Sequence, residues 1–168
     1  MRELYGEAPV AEACAALPPE VQSEIDAIVV GGWITTDAAH ALKAAVAERV
    51  GEPVMHLQRR IVRVGIERTL HTVWRFFMRH LSDAELARRA TILYSRSFDH
   101  GSLELKHFTD GEAVYEVHGW PTIPEFDLVG LLTGAEAIFA LAGRKDAHVT
   151  ATRRGPTVEL RMVWKKGA

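Results

Sequence analysis

Residues 102–118 read SLELKHFTDGEAVYEVH, and this stretch decides the fold of the C-terminal half. Leu103 and Leu105 alternate with charged residues, which is the period of a half-buried β-strand. Residues 109–111, Thr-Asp-Gly, predict a three-residue turn with glycine in the left-handed position. The turn predicts an apolar face with these pairs: His107 with Ala113, Leu105 with Tyr115 and Leu103 with Val117. In that register His107 and His118 point to opposite faces of the sheet.

A helix and a second hairpin follow this stretch. Residues 125–142 form an apolar helical segment, which Gly143 closes. Arg144 and Lys145 then lie near the negative end of the helix dipole. A turn at Arg154-Gly155 predicts a second register: Ala151 with Val158, Val149 with Leu160 and Ala147 with Met162.

The segments that precede residue 102 are predicted to be helical. Thr36 or Asp37 is expected to cap a helix over residues 38–50, which Gly51 ends. Ser82 and Glu85 have the spacing of a capping box, for a further helix that continues to about Phe98.

Residues 54–81 are predicted to be helical throughout, with Gly65 as a point where the segment divides or packs closely. Apolar residues recur at spacings of three and four, which indicates the central core helix. This stripe comprises Ile66, Leu70, Val73, Trp74, Phe77 and Leu81. The element order predicts an α+β fold, with a helical N-terminal half followed by β-β-α-β-β in one antiparallel sheet covered by helices.

The composition is that of one globular domain. The chain has 168 residues, of which 48% are hydrophobic and 25% charged. Residues 1–18 are Ala-rich and weakly patterned, so we expect a loosely held arm before a single α+β domain over residues 19–168. The net charge of -2 argues against a nucleic-acid partner. With Cys14 as its one cysteine, and no membrane-spanning run or secretory signal, we expect a cytoplasmic protein.

The sequence contains none of the common catalytic or cofactor motifs. It has no G-x-S-x-G, P-loop or G-x-G-x-x-G motif, and its eight histidines lack metal-ligand spacing. Asp99-His100 beside Gly101 could form an acid/base dyad, but Asp and Gly are also ordinary turn residues. We therefore expect no catalytic residue, no metal and no cofactor.

Arginines and aromatic residues supply the candidate ligand-binding residues. Guanidinium groups bind carboxylate or phosphate, and aromatic rings could wall an acyl or aromatic pocket. A solvated helix face beside core aromatics explains the same pattern. The candidates are Arg60, Arg63, His71, Trp74, Arg75, Phe77 and Tyr94. Arg88 and Arg89 extend the positive region onto the next helix.

Two tryptophans are candidate interface residues. Trp120, next to Pro121, and Trp164, near the chain end, are expected to be half exposed, and such aromatics often anchor interfaces. Protection of an edge strand explains them equally well. A four-stranded open sheet leaves edges that a second copy could cover, so we expect a homodimer.

Residues 88–101, RRATILYSRSFDHG, the alternating strands, the Gly-flanked helix of residues 129–143 and the terminal Val163-Trp164 together resemble a superfamily. It includes the vinyl-reductase-type small-molecule-binding domains, the Bet3-like subunits of vesicle-tethering TRAPP complexes and the haem-NO-binding domains. The similarity covers about the last two thirds of the chain. It looks closest to uncharacterised deltaproteobacterial, especially myxobacterial, members.

The resemblance implies a fold, a dimer and a buried pocket. The haem-binding branch carries a Tyr-x-Ser-x-Arg signature in a late strand, whereas residues 94–97 read Tyr-Ser-Arg-Ser in a predicted helix. The cysteine cluster of vinyl-reductase-type domains has no counterpart after Cys14. These departures argue against haem and against a metal.

The function predicted from the sequence is a non-enzymatic binding or regulatory module in bacterial signalling. It would bind a small apolar or amphipathic ligand, dock a protein partner, or do both. One alternative is an enzyme with a motif-free pocket built around His71, Arg75 and Asp99. The other alternative is a haem-based gas sensor.

Overall fold

A computed structural model describes residues 1–28, 32–70 and 73–165, without the side chains of Val73 and Trp74. The chain separates into two compact units, Met1–Ile61 and Val62–Ala168. Each unit has its own hydrophobic cluster. Among the helices of the described ranges, none is long and apolar enough to cross a membrane.

The N-terminal unit is helical. Its helices are α1 (Arg2–Tyr5), α2 (Glu7–Ala15), α3 (Pro19–Asp26), α4 (Thr36–Val50) and the first part of α5 (Val54–Thr69). The buried side chains that form its core are Val10, Ala13, Leu17, Leu42, Val46, Ala47 and Leu57.

The structure of residues 1–18 differs from the expected loose arm. This stretch contains α1 and α2, and Val10, Ala13 and Leu17 are buried against residues of α4 and α5. Because the stretch supplies part of a core, the boundary between the compact units follows Ile61 and not residue 18.

The helix α4 begins at Thr36, two residues earlier than the sequence predicts. The hydroxyl of Thr35, and not Thr36 or Asp37, accepts a hydrogen bond from the Ala38 amide at 3.3 Å. Gly51 ends the helix at φ 67°, as expected, because this left-handed conformation favours glycine.

The C-terminal unit contains the rest of α5, three further helices and four strands. They are α6 (Val73–His80), α7 (Asp83–Ser97), β1 (Ser102–Thr109), β2 (Glu112–His118), α8 (Glu125–Leu141), β3 (Lys145–Arg154) and β4 (Thr157–Lys165). The strands form one antiparallel sheet in the order β1-β2-β4-β3. The predicted α+β class and element order are confirmed.

The helical segment of residues 54–81 is two helices. The helix α5 ends at Thr69 and α6 begins at Val73, while Gly65 lies inside α5. The prediction that this stripe is the central core helix is wrong, since Phe77 is 58% exposed. The central core helix is α8, which buries eight residues. Its Gly134 permits close packing, since a Cβ there would lie 3.3 Å from Cδ1 of Ile66.

The helix α7 begins as the sequence predicts. Ser82 caps it, and the Glu85 carboxylate accepts hydrogen bonds from the Ser82 amide at 2.9 Å and from its hydroxyl at 2.7 Å. The reciprocal bond from the Glu85 amide to the Ser82 hydroxyl completes the capping box.

The first hairpin has two of its predicted residue pairs, although its turn is shorter than predicted. Thr109 pairs with Glu112, so the turn has two residues, Asp110 and Gly111, and not three. A bulge at Lys106 inserts one residue, which restores the predicted pairs of Leu103 with Val117 and Leu105 with Tyr115.

The bulge also reverses the predicted position of His107. This residue pairs with Val114, and Phe108 pairs with the buried Ala113. Because side chains alternate along a strand, His107 lies on the outer face together with His118.

The second hairpin turns one residue later than predicted. Arg154 pairs with Thr157, so Gly155 and Pro156 form the turn. The observed partners are Leu160 for Ala151 and Met162 for Val149, each two positions from the predicted one. A shift of two residues keeps every side chain on its predicted face, because the strand period is two.

The backbone at Gly101 lies so close to the backbone of His118 that only glycine fits at this position. Its φ is 69°, and a Cβ there would overlap the carbonyl oxygen of His118. We expect Gly101→Ala to lower the free energy of unfolding by about 3 kcal/mol, measured by urea denaturation.

Gly155→Ala is the matched control for this substitution. Gly155 has a φ of 58°, and a Cβ there would meet nothing within 4 Å. The cost should therefore be only the strain of a positive φ, about 1 kcal/mol. Equal costs for the two substitutions would contradict the proposed overlap.

Candidate functional site

An apolar groove lies between α6 and α7 in the C-terminal unit. Its volume is about 330 Å³, in the range of pockets that hold small molecules. Its lining residues are Phe77, Met78, Leu81, Leu86, Arg89 and Leu93. We call this feature the α6–α7 groove.

Large apolar side chains are exposed on the two helices that form the groove. Phe76 is 63% exposed, Phe77 58% and Ile92 54%. The rings of Phe76 and Phe77 meet edge to face, with centroids 6.2 Å apart. Clustered exposed apolar side chains of this size are typical of binding surfaces.

The lining of the groove is apolar. Five of its six side chains are hydrocarbon or thioether, and the sixth, Arg89, contributes apolar atoms only. Such a lining can bury apolar surface of a ligand.

The sequence predicted part of this groove. Phe77, a candidate ligand-binding residue, lines it, and Arg89 belongs to the positive region noted on α7. Met78, Leu81, Leu86 and Leu93 were not predicted as site residues. The spacing of Leu86, Arg89 and Leu93 at three and four residues is the signal that could have placed them on one helix face.

Other candidate residues lie elsewhere. Arg63 and Arg75 are exposed on α5 and α6, while His71 and the side chain of Trp74 lie outside the described residues. Arg60 belongs to the N-terminal unit, where its guanidinium donates to Glu52 at 3.0 Å and lies 5.0 Å from the centre of the Tyr5 ring.

Tyr94 is buried in the core at 3% exposure. Its hydroxyl donates to the carbonyl oxygen of His100 at 2.9 Å, which ties the end of α7 to the turn before β1. Burial raises the pKa of Tyr94 to about 12. These contacts describe a structural residue, and its role in ligand binding stays a prediction.

The two candidate interface tryptophans have different surroundings. Trp120 is half-buried, and its ring centroid lies 5.8 Å from that of Phe98 and 5.6 Å from that of His100. The expected half-exposure of Trp164 is wrong, since it is 5% exposed and its ring packs on Phe139 at 4.9 Å. An interface role for Trp120 stays a prediction.

A buried ion pair contacts the backbone of two residues that line the groove. Arg144 and Asp83 are both 9% exposed, and the Arg144 Nε donates to Asp83 Oδ1 at 2.8 Å. The same guanidinium donates to the carbonyl oxygens of Met78 and Leu81, two groove residues, and to that of Ala142 at the end of α8. Trp164 donates its Nε1–H to Asp83 Oδ2 at 2.9 Å. The sequence placed Arg144 at the helix end but gave no sign of these partners.

The described histidines do not supply an axial ligand in the groove. His56, His100 and His107 are exposed, as is His80, whose Nδ1 lies 2.8 Å from the carbonyl oxygen of Phe76. His118 lies 3.2 Å from Glu104 and 3.3 Å from Glu116, and the exposed His148 pairs with Glu136. His40 is half-buried on α4 of the N-terminal unit.

The described residues therefore do not fit a haem in this groove. In the described ranges, no group of three or more metal-ligating side chains could hold a metal ion. The Tyr-Ser-Arg-Ser sequence of residues 94–97 lies in α7, and the Tyr94 hydroxyl is engaged by the backbone.

Solved structures share the fold along the whole chain. An oxygen-binding H-NOX domain related to soluble guanylate cyclases, solved as its oxygen complex, has a TM-score of 0.67 and 17% identity over 99% of this chain and 89% of its own. The Fe(II) unliganded H-NOX protein from K. algicida has a TM-score of 0.70 and 9% identity, over 99% of this chain and 91% of its own. Neither a family model nor a curated protein sequence matches this chain. At these identities the likeness establishes the fold alone.

The contribution of the Arg144–Asp83 ion pair to the free energy of unfolding can be measured. We expect Arg144→Met to lower the free energy of unfolding by about 3–5 kcal/mol, because Asp83 would remain as an unpaired buried charge. Urea denaturation measures the change. Lys145→Met, at the exposed next residue, is the control, and equal effects of the two substitutions would contradict the assigned pairing.

The raised pKa of Tyr94 predicts a stability change at alkaline pH. The native state holds the phenol proton up to about pH 12, whereas the unfolded state releases it above about pH 10. Stability from Tyr94 is thus present below pH 10 and is lost as the pH rises toward 12. Tyr94→Phe should reduce this loss, measured by urea denaturation between pH 9 and 12. A free energy of unfolding that falls with pH as steeply in the variant as in the wild type would contradict the raised pKa of Tyr94.

Proposed function

We propose that the chain is a sensor domain that binds a small ligand without catalysing a reaction on it. The observation that carries the proposal is its end-to-end similarity in fold to H-NOX domains. The apolar α6–α7 groove supports the proposal, since a sensor needs a surface that gains contacts when its ligand binds.

Haem-based gas sensing is the form of this function to test first. The comparisons favour it over the generic binding module predicted from the sequence, because the solved relatives include an oxygen-binding domain and an Fe(II) protein. They give no comparable support to the motif-free enzyme built around His71, Arg75 and Asp99. In the structure, the Asp99 side chain is 74% exposed and lies 3.8 Å from His100, and Asp99 is not among the residues that line the α6–α7 groove.

The partner and the compartment belong to the same proposal. A sensor passes its state to a signalling partner or to a second copy, and we propose a cytoplasmic homodimer, with Trp120 as an interface residue. Trp120 is half-buried beside Phe98 and His100, so part of its ring is accessible to a partner.

Haem titration tests the haem-based form. This form predicts a Soret band that saturates at one haem per chain and shifts when carbon monoxide is added. His80→Ala, at an exposed residue outside the groove lining, should leave this band unchanged. Absorbance spectroscopy of the purified variants measures both results.

Two outcomes would contradict this form. A protein that shows no saturable Soret band is not a haem sensor, and the ligand must then be sought among other small molecules. A band that persists when each histidine in turn is replaced by alanine indicates haem adsorbed without a histidine ligand. His148→Ala, at an exposed residue paired with Glu136, serves as the surface control.

A further inference from the structure

We propose that the outward sides of α6 and α7 bind the surface of a membrane that contains anionic lipids. In this arrangement arginines of the two helices bind lipid head groups, and exposed apolar side chains beside them enter the interface. The inference goes beyond the sensor function, and neither of the two requires the other. It concerns two helices of the C-terminal unit alone.

The outward side of α7 is basic around one exposed apolar residue. Ile92 is 54% exposed, and three exposed arginines lie three or four residues from it, on the same side of the helix. The three are Arg88, Arg89 and Arg96. The opposite side of α7 carries the buried Leu86 and Tyr94.

The outward side of α6 has the same two features. Arg75 and Arg79 are exposed and lie one turn apart, and Phe76, beside Arg75, is 63% exposed. The ring centroid of His80, one turn after Phe76, lies 4.4 Å from that of Phe76, so His80 belongs to this side as well. Since residues of both helices line the α6–α7 groove, the two helices adjoin each other.

The acidic residues of α6 and α7 have other partners. The two helices carry five arginines but only Asp83 and Glu85 as acidic residues. Asp83 is buried with Arg144, and the Glu85 carboxylate accepts from the amide and hydroxyl of Ser82. The positive charge of this surface is therefore local, since the whole chain has a net charge of -2.

The arginines of the sheet show what an ordinary solvated surface looks like in this chain. Arg154 lies 2.9 Å from Glu159, and Arg161 lies 3.1 Å from Glu112. Among the residues that the structure describes, no ion pair joins one of the five arginines of α6 and α7 to a carboxylate. Guanidiniums without a protein carboxylate are open to an anionic partner.

Exposed apolar side chains coincide with this positive charge. Six large apolar side chains are exposed in the described part of the chain, and half of them lie on α6 and α7. These three are Phe76, Phe77 and Ile92. Removing such side chains from water is favourable, so this surface gains free energy from an apolar phase as well as from anions.

A lipid surface matches both features. Its anionic head groups attract arginine side chains, and the boundary with the acyl chains takes up phenylalanine and isoleucine. The phosphates of a nucleic acid match the arginines alone, because the aliphatic side chain of Ile92 has no ring to stack on a base. Charge and exposed apolar surface together therefore favour the membrane.

Co-sedimentation of the full chain with vesicles tests the inference. We expect little binding to vesicles of phosphatidylcholine alone and strong binding when about 40% of the lipid is phosphatidylserine. Raising the salt concentration from about 0.05 M to about 0.5 M should release most of the bound protein, because salt screens the charges of an exposed surface.

Two pairs of arginines locate the surface. The double variant Arg88→Gln and Arg96→Gln should weaken binding to the anionic vesicles about 25-fold, which is about fivefold for each arginine. The control is the double variant Arg154→Gln and Arg161→Gln on the outer face of the sheet, which changes the net charge by the same amount. It should weaken binding less than about twofold, because screening limits the effect of distant charges.

The apolar contribution has its own matched pair. Ile92→Ala should weaken vesicle binding about fivefold, because less apolar surface leaves water. Val163→Ala, at a residue that is 38% exposed on the sheet, should have little effect. The replaced side chains are all exposed, so urea denaturation should show free energies of unfolding close to that of the wild type.

Specific results would overturn the inference. Equal binding to neutral and anionic vesicles, or equal effects of the two arginine pairs, would exclude this surface. Absence of vesicle binding by the wild type would also remove it, and binding of duplex DNA that depends on Arg88 and Arg96 would then assign the arginines to a nucleic acid. Haem uptake without vesicle binding would leave the sensor function standing, because the two measurements are independent.

Discussion

A buried guanidinium, that of Arg144, is the constraint on which the C-terminal unit depends. Burying this charge is unfavourable unless a carboxylate and further acceptors surround it, and Asp83 with three backbone carbonyls meets that need. Asp83 also accepts a hydrogen bond from Trp164. This one carboxylate therefore binds Arg144, 61 residues away in the sequence, and Trp164, 81 residues away. The end of α8, the start of α7 and the end of β4 are fixed relative to one another by this network.

The same network bears on the α6–α7 groove. Arg144 holds the carbonyl oxygens of Met78 and Leu81, and their side chains line the groove. The backbone between α6 and α7 is thus anchored from the core side, while Phe76 and Phe77 remain exposed on the other. Rigid support beneath an exposed apolar surface is what a binding site requires, because less ordering free energy is then lost when a ligand binds.

The similarity of this chain to H-NOX domains lies in the backbone fold and not in the amino-acid sequence. The backbone follows that fold at a TM-score of 0.67 or more for the two structures described, while identity stays at 17% or less. Packing positions tolerate many apolar residues, so chains of low identity can share a fold. In this chain the described histidines lie at the surface, on the outer sheet face or on α4, and the groove presents carbon walls and Arg89.

The sequence by itself determined the element order, the capping box of Ser82 and Glu85 and the apolar faces of both hairpins, because these follow from local periodicity and turn chemistry. The first turn is shorter than predicted and the second lies one residue later, yet most strand residues keep their predicted face. The bulge at Lys106 restores the predicted pairs of Leu103 and Leu105, and the second hairpin is shifted by two residues. Only the tertiary structure decided that Phe77 is exposed, that α8 is the central helix and that Trp164 is buried. These outcomes depend on which apolar face finds a partner and on the buried charge of Arg144, and residues distant in sequence supply both.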